Sequence, residues 1–258
     1  MTVPLAEKLV QLSLTTMARQ LEPVLADAVR RNLGQADTLE RLADLELAAR
    51  QQRAIDRRFR LARLYAKPDI DQFHFAHHKS RQQARQRILQ LLELDFIRTG
   101  ANVIFIGNPG TGKTFLAKII AWRACQTNRR VLFTAAMDML NQLAAAQVDH
   151  SLVRKLKTYT EPVLLVCDEL GYLALDQASS NLFYQVISTR YSYKRSTVIT
   201  TNTPFSDWGN ILHNTTIATA IADRLVEQAQ VFLLEGPSFR QKGHAPKAPA
   251  DPASGAAL

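Results

Sequence analysis

Residues 107–114 read GNPGTGKT, and this stretch decides the fold. It fits the phosphate-binding loop G-x-x-x-x-G-K-[ST]. Gly107, Gly110 and Gly112 allow the backbone to approach a phosphate chain, so that successive N–H groups point at its oxygens. Lys113 can reach the β- and γ-phosphates, and the Thr114 hydroxyl can ligate Mg²⁺. The whole loop, with Asn108, Pro109, Thr111 and the following Phe115, is expected to hold the nucleotide. VIFI (103–106) is a short buried-strand run before the loop, and FLAKIIAWRAC (115–125) is a helical run after it. A phosphate in the loop would therefore sit on a helix N-terminus.

Working outward, apolar runs alternate with helical patterns from about residue 68 to 240. Strands are expected at Val103–Ile106, Val131–Thr134, Val163–Cys167, Val198–Thr201 and Val231–Leu234. This is the alternation of an α/β domain built on a mostly parallel five-stranded sheet with helices on both faces. Before it, residues 1–67 read as an all-helical part. Leu5, Leu9 and Leu12, then Leu21, Val24 and Leu25, recur at helical spacing. Asp37 followed by Glu40 resembles a capping box opening a second long helix. That helix is expected to run to about Lys67, where Pro68 stops it. Residues 241–258 are rich in Ala and Pro without periodicity and read as disordered.

Two strand ends carry further chemistry. VLLVCDE (163–169) is an apolar run ending in two acids, and acids at the carboxyl end of a parallel strand point into the ligand crevice. Asp168 would hold Mg²⁺, and Glu169 would activate the attacking water, the two tasks phosphoryl transfer to water requires. VITTN (198–202) ends in Asn202, placed to hydrogen-bond the γ-phosphate or the lytic water. An arginine finger would need a guanidinium that reaches a neighbouring subunit's γ-phosphate. Arg224, Arg240 and Arg190 are candidates that spacing alone does not separate, although a structural or subunit-contact role is favoured for Arg190.

The chain has 258 residues, 47% of them hydrophobic, and a net charge of +9, which favours an acidic partner. No apolar run is long enough for a membrane-spanning helix, and the N-terminus lacks a signal-peptide core. Cys125 and Cys167, both in apolar runs, read as buried thiols of a reducing, cytoplasmic setting. The positive charge is local. Arg50, Arg53, Arg57, Arg58, Arg60, Arg63, Lys67, Lys79, Arg81, Arg85 and Arg87 are opposed between residues 50 and 87 only by Asp56, Asp69 and Asp71. Arg50, Arg53, Arg57, Arg60 and Lys67 recur at helical spacing, as one stripe suited to a phosphate backbone; with Arg58 and Arg63 they form the expected DNA contact. Arg154, Lys155 and Lys157 are a second candidate contact. The three histidines of FHFAHHKS (73–80) lack a Cys or acid at ligand spacing and are not read as a metal site. Phe73 and Phe75 are expected to pack the join between the two parts, near the adenine.

GNPGTGKTFLA, VCDELGYLALD, ITTNTPFSDWG, ADRLVEQ and EGPSFR together resemble the IstB-like transposition helper ATPases. These are kin of the DnaC-type helicase loaders within the AAA+ initiator clade. The resemblance runs to about Gln241. It implies an AAA+ core lacking a full C-terminal lid, Lys113 and Thr114 as the Walker A pair, and Asp168 and Glu169 as the Walker B pair. Asn202 would be the first sensor and Arg224 the trans-acting finger, and Arg240 falls where a second sensor arginine is sometimes placed. It further implies an ATP- and Mg²⁺-dependent homo-oligomer, with ATP at subunit interfaces, that assembles on duplex DNA and presents it to a DDE transposase. A DnaC-type helicase loader is the nearest alternative. A small-molecule kinase would need an acceptor pocket and lid, and a scaffold with an idle ATPase would not need Lys113, Asp168 and Glu169 intact.

Overall fold

The computed structural model describes residues 4–172 and 174–239. The chain forms two compact units, one up to Leu61 and one from Ala62 onward.

The first unit holds three helices, α1 (Leu5–Gln11), α2 (Thr15–Arg30) and α3 (Gln35–Leu61). Sequence periodicity predicts one helix before α3. Two form because Ser13 adopts φ 61°, which no helix interior accommodates. Leu9, Leu21, Val24 and Leu42 make the small core, whereas Leu5, Leu12 and Leu25 remain exposed. Asp37 lies inside α3, and its carboxylate accepts from the Gly34 N–H before the helix, so the helix opens three residues earlier than expected. The deepest polar group is Glu46, 2% exposed. It accepts from the backbone N–H of Thr16 and Met17 and from Arg50 and Arg53. Burial pushes its carboxyl up, but these four donors outweigh burial and hold it at about 2.

Helix α3 ends at Leu61, six residues short of the expected Lys67. The carbonyl of Ala62 accepts from Phe133 N–H at the edge of the sheet, Ala62 and Leu64 are buried, and Arg63 takes φ 59°. A partner distant in sequence thus captures the chain before Pro68 can stop it.

In the second unit, α4 (Lys79–Leu91) and α5 (Asp95–Thr99) precede the sheet. The order continues β1 (Asn102–Ile106), α6 (Lys113–Gln126), β2 (Val131–Ala135), α7 (Ala136–Val148), α8 (Leu152–Thr160), β3 (Leu164–Leu170) and α9 (Gln177–Ser192). It ends with β4 (Ser196–Thr201), α10 (Trp208–Ile211), α11 (Thr215–Val226) and β5 (Ala229–Leu233). All five expected strands form, within two residues at most boundaries. They pair in parallel in the order β2-β3-β4-β1-β5. Strands β1 and β4 are buried throughout; β1 reads as a near-continuous apolar run, while β4 buries four hydroxyl residues, Ser196, Thr197, Thr200 and Thr201, around Val198 and Ile199. Ile104, Ile106, Leu165, Cys167 and Ile199 pack against α7, α9 and α11. Alternate residues such as Phe105, Val166 and Val198 face the side covered by α6.

Arg190 of α9 is 1% exposed. It donates to Thr197 Oγ1 and to the carbonyls of Tyr159, Pro162 and Ser196, tying α8, α9 and β4 together. Burial, assisted by Arg195, pushes its guanidinium down to about 9. A side chain so enclosed and bonded serves packing within its own chain. Cys125 and Cys167 are both buried. Burial and the neighbouring Asp168 push Cys167 up to about 12, which keeps it protonated and unreactive.

Candidate nucleotide site

Parallel register gathers the motifs. Ile106 lies opposite Thr201, and Leu170 also pairs with Thr201, so the ends of β1, β4 and β3 form one ledge. The loop 107–112 leaves β1 at that ledge and enters α6, whose first residue is Lys113. Gly112 has φ 89°, and a Cβ there would come within 2.7 Å of the Phe73 ring. Gly110 has φ 79°, and a Cβ there would lie 2.0 Å from Ser238 Oγ. Both positions therefore demand glycine twice over, for conformation and for space. The Lys113 ammonium donates to the carbonyls of Gly107 (2.7 Å) and Asn108 (2.9 Å).

The two acids of β3 sit on a bulge. Cys167 pairs with Ile199 and Leu170 with Thr201, leaving Asp168 and Glu169 opposite the single residue Thr200. Thr200 holds both. Its hydroxyl donates to Asp168 Oδ1 (2.5 Å) and accepts from Glu169 N–H (2.9 Å). Asp168 Oδ1 also accepts from Thr114 Oγ1 at 2.9 Å. Glu169 takes φ 60°, a conformation uncommon for a non-glycine residue, and its side chain stays exposed while Asp168 is buried. Such backbone strain persists only where surrounding bonds over-determine it, as they do here.

These groups line a cavity of about 440 Å³. Pro109, Gly110, Gly112, Lys113, Thr114 and Phe115 form one wall, with Glu169, Thr200 and Asn202 beside them. Asn202 is exposed, and its Oδ1 accepts from the Thr203 hydroxyl at 3.2 Å. The opposite end is made by residues not assigned to the site from sequence, among them Gln72, His74, Arg81 and Phe239. Phe73 lines this end too, 4.9 Å from Phe75 and stacked 6.5 Å from Phe115. Arg81 is 4% exposed; it donates to the Thr111 carbonyl (3.2 Å) and the His74 carbonyl (3.1 Å) and lies 4.5 Å over the Phe73 ring. The segment after β5 crosses the loop. Phe239 N–H donates to the Gly110 carbonyl at 3.0 Å, and its ring stacks on His74. The other histidines have ordinary work: His78 accepts from Ser80 N–H at the start of α4, and His77 meets the Pro237 carbonyl.

Arg224 is not among the lining residues. It donates to the Ala220 carbonyl at 2.8 Å and lies 5.0 Å over the Tyr184 ring. Arg240, the expected lack of a full lid and the 241–258 tail fall on residues 240–258, outside the described residues.

A loop–helix cradle, a bulged acid pair and a polar strand end around one cavity make a nucleotide site. The model of the IstB-like ATP binding protein family matches residues 7–247. This chain belongs to the IstB-like ATP-binding family. It is 35% identical over 230 residues to an ATP-binding protein, so named, of insertion sequence IS5376 from Geobacillus stearothermophilus, covering 89% of this chain and 90% of that one. It is 31% identical over 232 residues to the similarly named IS21 protein of Pseudomonas aeruginosa, covering 90% and 86%. Among solved structures, the DnaC helicase loader matches with TM-score 0.55 and 22% identity, over 69% of this chain and 98% of that chain. DnaI matches with TM-score 0.57 and 18% identity, over 65% and 91%. The fold is that of the AAA+ phosphate-loop domains, preceded by a helical unit.

In this IstB-like chain the expected basic stripe is divided. Arg50 and Arg53 are half-exposed but turned to Glu46, each at 3.0 Å. Arg57 and Arg60 are exposed on α3, and Arg58 is half-buried. Arg63 and Lys67 lie beyond the helix, in the second unit, where Arg63 meets Tyr159 and the Lys67 ammonium sits 5.2 Å over Trp122. Lys67 therefore does not continue the helical face, because α3 has already ended. Arg154 and Lys157 are exposed on α8, with Lys155 half-buried.

Proposed function

We propose that this chain is the ATP-driven, DNA-binding helper of a DDE transposase. It assembles on duplex target DNA as an ATP-bound homo-oligomer, presents that DNA to the transposase, and hydrolyses ATP as a switch. The observation that carries the reading is Lys113, Thr114 and Glu169 lining one cavity, with Asp168 bonded to Thr114 behind them. They occur in a chain about one-third identical, nearly end to end, to insertion-sequence proteins.

The residues divide the chemistry. The loop N–H groups and the Lys113 ammonium would bind the β- and γ-phosphates, and Phe73, His74 and Phe239 would enclose the base. Thr114 and Asp168 offer hard oxygens 2.9 Å apart, a donor set that fits Mg²⁺. When bound, Mg²⁺ supplies charge neutralisation at the phosphates. Thr200 fixes Asp168 by its side chain and Glu169 by its backbone, which leaves the Glu169 carboxylate free to take a proton from the attacking water. Asn202 would sense the γ-phosphate. Arg224, on α11 and away from its own cavity, would reach the site of the next subunit. Arg57 and Arg60 would contact phosphates without reading bases. No described helix is long and apolar enough to cross a membrane, and we place the protein in the cytoplasm.

The fold equally suits a helicase loader, and one experiment separates the two. Binding to duplex and single-stranded DNA is measured with and without ATP while assembly size is followed by light scattering. ATP-dependent oligomers on duplex DNA are expected, and Lys113→Ala abolishes them. Preference for single strands, or assembly indifferent to ATP, overturns the helper reading.

A further inference from the structure

Helix α4 turns two different faces outward and inward. Its sequence, KSRQQARQRILQL, contains no acid; the nearest acids along the chain, Asp71 and Glu93, lie beyond its ends. Ala84, Ile88 and Leu91 pack inward together with Arg81. Lys79, Gln82, Gln83, Arg85, Gln86 and Arg87 are all exposed. At 100° per residue, Lys79, Gln82, Gln83 and Gln86 form the crest of that face, with Arg87 and Arg85 on its flanks. The glutamines make no side-chain hydrogen bond among the described residues. The flanking guanidiniums are braced. Arg87 lies 4.5 Å over Phe232 and donates to the Val231 carbonyl, and Arg85 lies 5.7 Å over Phe75. A braced guanidinium loses little freedom on meeting an anion. Arg50 and Arg53 of α3 differ, since each already faces Glu46.

We propose that the outward face of α4 is a seat for the phosphate backbone of duplex DNA, on the ATPase unit itself and additional to α3. Cations that make no ion pair among the described residues supply the attraction, although the exposed Glu235 lies beside Ser80 at the start of the helix, and amide N–H groups between them bond phosphate oxygens and tolerate any sequence. Extending to Gln90, the face runs about 16 Å along the helix axis at 1.5 Å per residue, enough to follow several phosphates. The opposite side of the same helix carries Arg81, bonded to the Thr111 carbonyl of the phosphate loop. DNA and nucleotide would thus press on opposite faces of one rigid element, which gives DNA binding a direct mechanical route to the site. This rests on the DNA-binding reading of the protein.

The test uses the full chain with ATP and a duplex of arbitrary sequence, measuring Kd from 50 to 300 mM salt, and labelled-ATP affinity in parallel. Gln82→Glu with Gln86→Glu is expected to weaken duplex binding at least tenfold at about 100 mM salt, where exposed charges are still felt across ~10 Å. Gln82→Lys with Gln86→Lys is expected to tighten it and to steepen the log Kd against log salt slope by about two. Both positions are exposed and unbonded, so folding and ATP affinity are expected to stay at parental values. A parent that binds duplex while both variants keep its slope and affinity overturns the α4 seat and leaves the helper reading standing. A parent that binds no duplex under any condition overturns the helper reading itself.

Discussion

Thr200 is the residue on which the acid pair depends, and Thr200→Val isolates its hydroxyl while keeping its shape. The substitution removes a hydrogen bond to the Asp168 carboxylate, worth about 1.5–3 kcal/mol, and leaves the Glu169 N–H unpaired, at about 1–3 kcal/mol. Taking the low end of each, the hold on the acid pair, with Glu169 at φ 60°, weakens by about 2.5 kcal/mol. If that loss appears as displacement of the general base, kcat falls about 70-fold at 1.36 kcal/mol per decade. The phosphate cradle is untouched, so the Kd for ATP stays within about threefold. Thr200→Ser keeps the β-hydroxyl and restores most of the rate. The assay is steady-state ATP turnover beside nucleotide titration, with a thermal melt to check folding. A Thr200→Val protein that turns over within twofold of the parent would refute the argument that this hydroxyl positions the acids.

Two further outcomes follow from buried charges. Glu46 has its pKa depressed to about 2 in the fold against an ordinary 4.5, so the stability it contributes is fully present above about pH 4.5 and is lost as pH falls toward 2. Circular dichroism across that window should show the parent losing helical stability with acid. Glu46→Gln should be weaker at neutral pH and nearly flat below it; parallel acid curves for the two proteins count against the network. Arg190→Met leaves the carbonyls of Tyr159, Pro162 and Ser196 without their shared donor. At ~1–3 kcal/mol for each orphaned group it should cost roughly 4 kcal/mol in denaturant unfolding, and a loss under about 1 kcal/mol contradicts the clamp.

The sheet was legible because strands buried on both faces are rich in apolar and β-branched residues, and VIFI, VLLVC and VIT could not be much else. The phosphate loop and the DE pair were legible because their spacing is local. What escaped were pairings between distant residues. Nothing near Leu61 announces that Ala62 will bond Phe133. Thr200 carries no local mark in VITTN, since its value comes from facing a bulge on another strand. Arg81 was counted with the exposed cations because composition does not separate a guanidinium in solvent from one enclosed against Phe73 and Thr111.

The chain after β5 has a practical consequence for anyone shortening this protein. Phe239 is bonded to Gly110, Ser80 holds the Glu235 carbonyl, and Ser238 fills the space a Gly110 side chain would need. A truncation placed at the last strand, where the sheet is complete, would amputate the outer rim of the phosphate cradle and expose its glycines. A shortened chain has to keep Phe239 and cannot end at Leu233. Purification handles fused directly after Phe239 would hang from the nucleotide cavity rather than from a neutral end.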